Sequence, residues 1–176
     1  MSRSPPLISQ PAPARRSFPL PSVLSAYGVA LALLAADQGT KFLVHEHTPY
    51  GWVLVLTAYL NLVHAWNYGA AFSFLADAGG WQRYFFAVIA LIVSAWLAIA
   101  LKKPLPWRER AGYALVLGGA LGNGLDRFAR GYVVDFLDFH AAGWHWPAFN
   151  LADIGIVLGA TLILWQAVKG GRAAYV

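Results

Sequence analysis

The chain has 176 residues, of which 59% are hydrophobic and 12% charged, with a net charge of +5 and no cysteine. Soluble domains carry about 25% charged residues, and the apolar residues here come in long runs, so the composition predicts a membrane protein. The lack of cysteine excludes disulfides, thiolate nucleophiles and metal centres held by cysteine.

The chain begins with a polar segment and continues into an apolar one. Residues 1–21 are rich in Pro, Ser and Arg, which predicts a disordered cytoplasmic tail. The following apolar run is too long for a secretion signal and lacks a clean cleavage site, so it predicts a first membrane helix over 22–44. Asp37 and Lys41 are spaced i, i+4 in this helix and are expected to form a structural ion pair.

Residues 45–80 have a mixed composition with aromatic and β-branched residues, scattered polar groups and glycines. Segments 53–55 and 59–66 have the composition of strands. The segment therefore predicts a small sheet outside the membrane, which rests on the membrane through its Trp and Tyr side chains.

Three further apolar segments predict membrane helices over 81–101, 111–128 and 151–168. The predicted fold class is an all-α membrane protein with four transmembrane helices. Residues 22–170 form its single membrane-embedded domain, and residues 171–176 form a cytoplasmic C-terminal tail.

The basic residues fix the expected orientation, because cytoplasmic loops carry an excess of Lys and Arg. Both termini and the 102–110 loop are therefore placed in the cytoplasm. This distribution also explains the net positive charge, so a nucleic-acid-binding function is not needed to account for it. The sequence contains no motif that would contact nucleic-acid bases. The residues on the cytoplasmic side are Arg3, Arg15, Arg16, Lys102, Lys103, Arg108, Arg110, Lys169 and Arg172.

Four of the eight acidic residues fall within 118–153. Asp37 and Asp126 each lie 15 residues from the cytoplasmic start of their helix, about 22 Å along it, and Asp153 lies in the first turn of the last helix. All three are therefore expected near the outer membrane boundary, where ionisable groups are costly and usually functional. Asp135 is expected in the outer segment between the last two helices.

Most of these carboxylates also have a structural interpretation. Asn150 and Asp153 have the spacing of a capping box, and Asp126 beside Arg127 is consistent with an ion pair at a helix end. Asp138, in an aromatic loop, is expected to be solvated. Asp135 has apolar neighbours on both sides, so it has the poorest structural explanation, and its pKa is expected to be raised.

Two carboxylates that share a proton can hydrolyse a peptide bond, as in aspartic proteases, although the Asp-Thr/Ser-Gly loops of the soluble enzymes are absent. An outer zinc site is a weaker hypothesis, because the histidine spacing is irregular and there is no HExxH motif. The histidines concerned are His45, His47, His64, His140 and His145.

Glycine spacing suggests how the last two helices pack. Gly118 and Gly122, and likewise Gly155 and Gly159, form small-xxx-small patterns. Such patterns allow close helix contact. Close packing of these helices would bring Asp126 toward the last helix.

The chain after residue 22 resembles the lipoprotein signal peptidases, the signal peptidase II family of aspartic endopeptidases in the bacterial inner membrane. Five motifs in the family's order carry the resemblance, and they are Asp37-Gln38-Gly39-Thr40-Lys41, Asn67-Tyr68-Gly69-Ala70-Ala71-Phe72, Gly118-Gly119-Ala120-Leu121-Gly122-Asn123 with Asp126-Arg127, Val133-Val134-Asp135-Phe136, and Phe149-Asn150-Leu151-Ala152-Asp153.

The resemblance implies a catalytic dyad of Asp135 and Asp153, with an outer β-cradle and a short outer helix beside the four membrane helices. It implies cleavage of prolipoproteins before a cysteine that carries diacylglycerol, with release of the signal peptide. It further implies inhibition by globomycin and no metal or organic cofactor; a monomer in contact with membrane lipid is expected. The implied supporting residues are Asp37, Lys41, Asn67, Gly69, Ala71, Gly119, Asn123, Asp126, Arg127, Asn150 and Ala152.

Some alternatives stay open at this stage. Asp126 is the second candidate for the dyad, because its pairing with Asp153 requires only helix packing. Gly124 departs from the family, which has a larger apolar residue there, and is expected to loosen the third helix locally. A small transporter would place its acids at the bilayer midplane, and a noncatalytic scaffold would tolerate carboxylate-to-amide changes.

Overall fold

The structure, a computed structural model, describes residues 23–69 and 79–173. The predicted N-terminal tail, Ala71 and residues 174–176 lie outside the described residues. The elements in chain order are α1 (Val23–His47), β1 (Val53–Val55), β2 (Leu60–Asn67), α2 (Gln82–Ala100), α3 (Trp107–Ala129), β3 (Val133–Ala141), β4 (Trp144–His145) and α4 (Leu151–Ala173).

The central element of the fold is α3, which packs against α1, α2 and α4. Small and aliphatic side chains fill the contact with α1 and α2, including Ala30, Leu97 and Ala114, all of which are buried. The α3 helix begins at Trp107, four residues before the predicted start at 111, and α4 continues to Ala173, beyond the predicted end at 168.

Among the described residues, three helices are long and apolar enough to cross a membrane, namely α1, α2 and the Leu151–Lys169 part of α4. The α3 helix is as long as α4, but it carries charged residues at both ends, such as Arg108 and Asp126. The part of the chain that the structure describes is therefore mostly helical, with three apolar candidate spans.

The predicted close packing of α3 on α4 is present, and it joins the predicted Gly159 to Gly112, which lies outside the two predicted patterns. A Cβ atom at Gly112 would lie 2.7 Å from the carbonyl oxygen of Gly159, so this pair allows the two backbones to touch. Gly118 instead faces α1, where a Cβ atom would lie 2.6 Å from the Ala30 carbonyl oxygen. The expectation that Gly118 serves the contact with α4 was wrong, since helical spacing does not say which neighbour a face meets.

Gly124 serves a helix contact as well. A Cβ atom there would lie 3.0 Å from the Ala90 Cβ atom of α2. The glycine therefore allows α2 to lie close to α3, and α3 runs without interruption through this position.

A four-stranded antiparallel sheet, in the order β1-β2-β3-β4, accompanies the helices. The strands predicted at 53–55 and 59–66 are confirmed to within a residue at either end. The segment after α3 forms the nine-residue strand β3, in which Asp135 pairs with Ala65 of β2. Within residues 23–69 and 79–173 no separate short outer helix is found.

The sheet is joined to the start of α4 by backbone hydrogen bonds. The amides of Phe136 and Leu137 donate to the Phe149 carbonyl oxygen over 3.0 and 2.9 Å, and the Phe149 amide donates to the Leu137 carbonyl oxygen over 3.0 Å. These bonds hold the residues that precede α4 beside β3, and so position Asn150 next to Asp135.

Candidate active site

Asp135 of β3 and Asp153 of α4 are brought together by the junction of sheet and helix. Asp135 is only 2% exposed. Its carboxylate accepts hydrogen bonds from the Asn67 Nδ2 atom over 3.1 Å and from the Asn150 Nδ2 atom over 2.6 Å. Asp153 accepts from the Asn123 Nδ2 atom over 2.8 Å. Side-chain amides from β2, from α3 and from the loop before α4 therefore hold the two carboxylates.

Asn150 and Asp153 form the predicted capping box. The Asn150 Oδ1 atom accepts from the Asp153 amide over 3.1 Å, and the Asp153 Oδ2 atom accepts from the Asn150 amide over 3.2 Å. This reciprocal pair satisfies two amides at the start of α4 and restrains the Asp153 side chain. A carboxylate at a helix N-terminus is also favoured by the helix dipole.

The electrostatic environment of Asp135 favours its protonated form. Burial and the nearby charge of Asp153 raise the pKa of Asp135 to about 7, although the hydrogen bonds from Asn67 and Asn150 and the charge of Lys41 act in the opposite direction. The raised pKa expected from its apolar neighbours is thus present. At neutral pH this carboxyl group can exist either with or without a proton.

A buried ion cluster lies beside these two carboxylates. The Lys41 Nζ atom is 2.8 Å from the Asp37 Oδ2 atom and 2.9 Å from the Asp126 Oδ2 atom, and all three side chains are 0% exposed. Arg130 adds a second cation 2.5 Å from the Asp126 Oδ1 atom. The predicted structural pair of Asp37 and Lys41 is confirmed, and Asp126 is neutralised by two cations.

Arg127 does not have the partner that its position in the sequence suggested. Within the described part of the chain no ion pair joins it to Asp126, so the expected pair at the helix end was wrong. Its guanidinium donates to the carbonyl oxygens of Gly69 over 2.7 Å and Asn123 over 3.1 Å. Arg127 thus links α3 to the segment after β2, next to Asn67.

The small residues of the motifs lie where α1, α3 and α4 meet. A Cβ atom at Gly119 would collide with the Ala152 carbonyl oxygen and lie 2.8 Å from the Ile156 Cγ1 atom. Ala152 is fully buried, and its amide donates to the Asp37 Oδ1 atom over 2.9 Å. These residues allow α4 to begin beside the ion cluster. Ala71, the remaining predicted site residue, lies outside the described residues.

Asp138 is not solvated, contrary to expectation. It is 7% exposed and accepts a hydrogen bond from the Asn61 Nδ2 atom over 2.9 Å, while the His145 Nδ1 atom lies 2.9 Å from its Oδ2 atom. Burial alone would raise the pKa of Asp138, but the hydrogen bonds from Asn61 and His145 lower it below its usual value. Asp138 therefore has a structural role in the sheet, where it links β3 to Asn61 of β2 and to His145 of β4.

The histidines do not gather with carboxylates into a metal site. Across residues 23–69 and 79–173, no three His, Asp or Glu side chains are placed to hold a metal ion. His140 and His145 stack with ring centroids 5.1 Å apart, while His64 lies with His45 near the end of α1. The outer zinc hypothesis has no support in this geometry.

Two residues near the site were missed at the sequence level. The Gln38 Nε2 atom lies 3.2 Å from the Asp37 Oδ2 atom and 3.2 Å from the Asp126 Oδ1 atom, between two buried carboxylates. Arg130 could have been found, since it follows Asp126 at i, i+4. The role of Gln38 depends on the contact between α1 and α3, and the residues around Gln38 in the sequence show no pattern that predicts it.

Comparison with known proteins gives a consistent result. A family model described as signal peptidase (SPase) II matches residues 29–169. The chain is 51% identical over 141 residues to the lipoprotein signal peptidase of Serratia marcescens, covering 80% of this chain and 83% of that protein. It is 48% identical over 146 residues to that of Vibrio vulnificus, covering 80% of this chain and 86% of that protein.

Solved structures agree with the sequence comparison. One, described as a bacterial membrane enzyme at 2.3 Å resolution, has a TM-score of 0.73 and 30% identity, covering 82% of this chain and 88% of that chain. Another, at 1.9 Å, has a TM-score of 0.71 and 30% identity, covering 82% and 93% of the two chains. With the family model matching most of its length, the chain belongs to the signal peptidase II family of membrane peptidases.

Proposed function

We propose that this protein removes signal peptides from diacylglyceryl-modified prolipoproteins, with Asp135 and Asp153 as its catalytic dyad. One observation carries the assignment of the dyad. Of the four carboxylates that lie close together here, Asp37 and Asp126 are neutralised by Lys41 and Arg130, whereas among the described residues no ion pair involves Asp135 or Asp153. The pair without salt bridges is the one free to exchange protons.

The resting proton is assigned to Asp135. Asp153 lies in the first turn of α4, and each of its oxygens accepts a hydrogen bond, which favours a carboxylate. Asp135 is buried beside that charge, and its pKa is raised to about 7. Asp153 is therefore the base and Asp135 the acid at the start of the reaction.

Peptide hydrolysis then proceeds in two steps. Asp153 takes a proton from a water as the water oxygen bonds to the scissile carbonyl carbon, and Asp135 gives its proton to the carbonyl oxygen. The carbon–nitrogen bond of this tetrahedral intermediate breaks as Asp153 passes its proton to the leaving amine. Asp135 recovers a proton from one hydroxyl as the carbonyl re-forms, which restores the resting dyad.

The membrane arrangement is proposed from charge and packing. The α3 helix spans about 34 Å at 1.5 Å per residue and is enclosed by α1, α2 and α4, so it serves as the fourth membrane helix despite its charged ends. The excess of basic residues in the termini and the 102–110 loop supports cytoplasmic termini and a dyad near the outer face of the bacterial inner membrane. The 22–170 segment is then one membrane domain with cytoplasmic tails.

Substrate recognition follows from this depth. The acyl chains of the diacylglyceryl-cysteine lie in lipid against the outer halves of the helices, which brings the peptide bond before that cysteine to the dyad. Asn67, Asn123 and Asn150 orient the two carboxylates, while Arg127 restrains Gly69 and Asn123. The enzyme acts as a monomer and is inhibited by globomycin.

The test is cleavage of a lipidated precursor by purified Asp135→Asn and Asp153→Asn variants in detergent micelles. Each should lose activity by more than about a thousandfold, because a carboxamide can serve neither as the base nor as the acid. Unlipidated precursor should not be cleaved by the wild type.

Asp138→Asn is the matched control. Asp138 is three residues from Asp135 and therefore on the opposite face of β3, so this change disturbs the same strand without touching the dyad. It should retain most of the activity. Full activity in either dyad variant would overturn the assignment.

A further inference from the structure

The buried Lys41 has a contact beyond its ion pairs. Its Nζ atom donates to the Asn123 Oδ1 atom over 2.8 Å, and the Asn150 Nδ2 atom lies 3.3 Å from the same oxygen. Asn123 is 8% exposed, and Lys41 and Asn150 are both 0% exposed. Two donors therefore face one end of the Asn123 carboxamide in a site closed to water.

The two ends of this carboxamide have opposite chemistry. With Oδ1 turned toward Lys41, the Nδ2 atom faces the Asp153 Oδ1 atom over 2.8 Å and donates to it. A rotated carboxamide would present its oxygen to Asp153 and its NH₂ group to the Lys41 ammonium, where no hydrogen bond can form. The cation therefore disfavours the rotated carboxamide, and the longer contact from Asn150 acts in the same sense.

We infer that Lys41 is a positioning residue for catalysis, which acts through Asn123 to keep Asp153 ionised and ready to take a proton from water. This inference rests on the proposed function, in which Asp153 is the base. It gives the buried ammonium a task beyond the neutralisation of Asp37 and Asp126.

The charges around Asp153 require a variant that separates orientation from electrostatics. Lys41 and Asp37 act on it from α1, Arg127 and Asp126 lie on α3, and Asp135 acts on it from β3. Removing Lys41 alone would leave a buried negative charge in excess. The double variant Asp37→Asn with Lys41→Met removes one charge of each sign and so leaves the net charge unchanged.

The experiment measures kcat and KM for a lipidated precursor between about pH 4 and pH 8. In the Asp37→Asn/Lys41→Met variant only the 3.3 Å contact from Asn150 still faces the Asn123 Oδ1 atom, so the carboxamide can rotate, and a carbonyl oxygen facing Asp153 holds a proton on that carboxyl group. The acidic limb of the kcat profile should move up by about one to two pH units, the equivalent of one charge-assisted hydrogen bond, with little change in KM.

Two comparisons decide whether the effect passes through Asn123. Asp37→Asn/Lys41→Gln supplies an amide donor on a side chain of similar size to Met, and it should restore the wild-type limb. In an Asn123→Ala background, the Met double variant should cause no additional shift. A wild-type limb in the Met variant, or a full additional shift in the Asn123→Ala background, overturns the inference.

The outcomes separate this inference from the proposed function. If Asp153→Asn is inactive while the Met variant has a wild-type profile, only the role of Lys41 is wrong. If Asp153→Asn is fully active, the dyad itself is wrong. If the Met variant does not accumulate in the membrane, the Gln variant decides, because a displaced limb despite its donor overturns the inference and a wild-type limb supports it.

Discussion

Asn150 offers the sharpest test of how the site is built, because one side chain serves both the fold and the dyad. It is fully buried; its Oδ1 atom caps α4 at the Asp153 amide, and its Nδ2 atom donates to Asp135. Asn150→Ala removes both bonds, whereas Asn150→Ser removes the donor to Asp135 and keeps a capping oxygen. The two variants are almost equal in size, so their difference reports the cap.

The magnitudes follow from these contacts. Loss of an N-cap costs about 1 kcal/mol of stability, and loss of a hydrogen bond to the neutral Asp135 carboxyl group costs about 0.5–1.5 kcal/mol. Asn150→Ala should therefore destabilise the protein by about 1.5–2.5 kcal/mol, and Asn150→Ser by about 1 kcal/mol less. Because Asp135 becomes a carboxylate as it gives up its proton, the bond from Asn150 strengthens in the transition state by about 1–1.5 kcal/mol, and its loss should lower kcat roughly tenfold in both variants.

The assay combines cleavage of a lipidated precursor with thermal unfolding in the same micelles. Equal stability of the Ala and Ser variants would show that the capping oxygen has no energetic role at this helix. Wild-type kcat in the Ser variant would refute the reasoning that the Asn150 amide supports the dyad through Asp135.

Two further predictions concern pH and helix packing. The folded protein holds the Asp135 proton up to about pH 7, whereas the unfolded chain releases it near the ordinary pKa of an aspartate. The stability of the wild type relative to Asp135→Asn should therefore fall as the pH rises toward 7. Because Asp135 acts as the acid, kcat should also fall as the pH rises through about 7. Thermal unfolding and cleavage at several pH values check both, and a pH-independent stability difference would contradict the first. Gly119→Ala should cost about 1–3 kcal/mol and lower activity, since its Cβ atom would push α4 away at Ala152. Gly39→Ala, with nothing within 4 Å of its Cβ atom, should fold normally as the control, and equal stability of the two variants would contradict the packing argument.

Features encoded over a few residues could be predicted from the sequence. The capping box of Asn150 and Asp153 and the pair of Asp37 and Lys41 are each written in a spacing of three or four residues. The strands β1 and β2 could be located from their composition. Each of these requires only the geometry of one helix turn or one strand.

Features that depend on which elements meet could not be predicted in this way. Asp126 lies beside Arg127 in sequence, yet its partners are Lys41 of α1 and Arg130 one turn on. Asp138 was expected to be solvated in an aromatic loop, but it is buried against Asn61, which lies on another strand. The contacts of Lys41 with Asp126 and of Asn61 with Asp138 join distant parts of the chain. The residues next to Asp126 and Asp138 in sequence therefore do not predict them.

The division of the dyad between two kinds of element has a mechanical consequence. Asp135 belongs to the sheet, whereas Asp153 belongs to the helix bundle. The distance between the carboxylates is therefore also a measure of how firmly sheet and bundle are seated on each other. A change that tilts the sheet, even far from any acid, alters catalysis as directly as a change to the acids themselves.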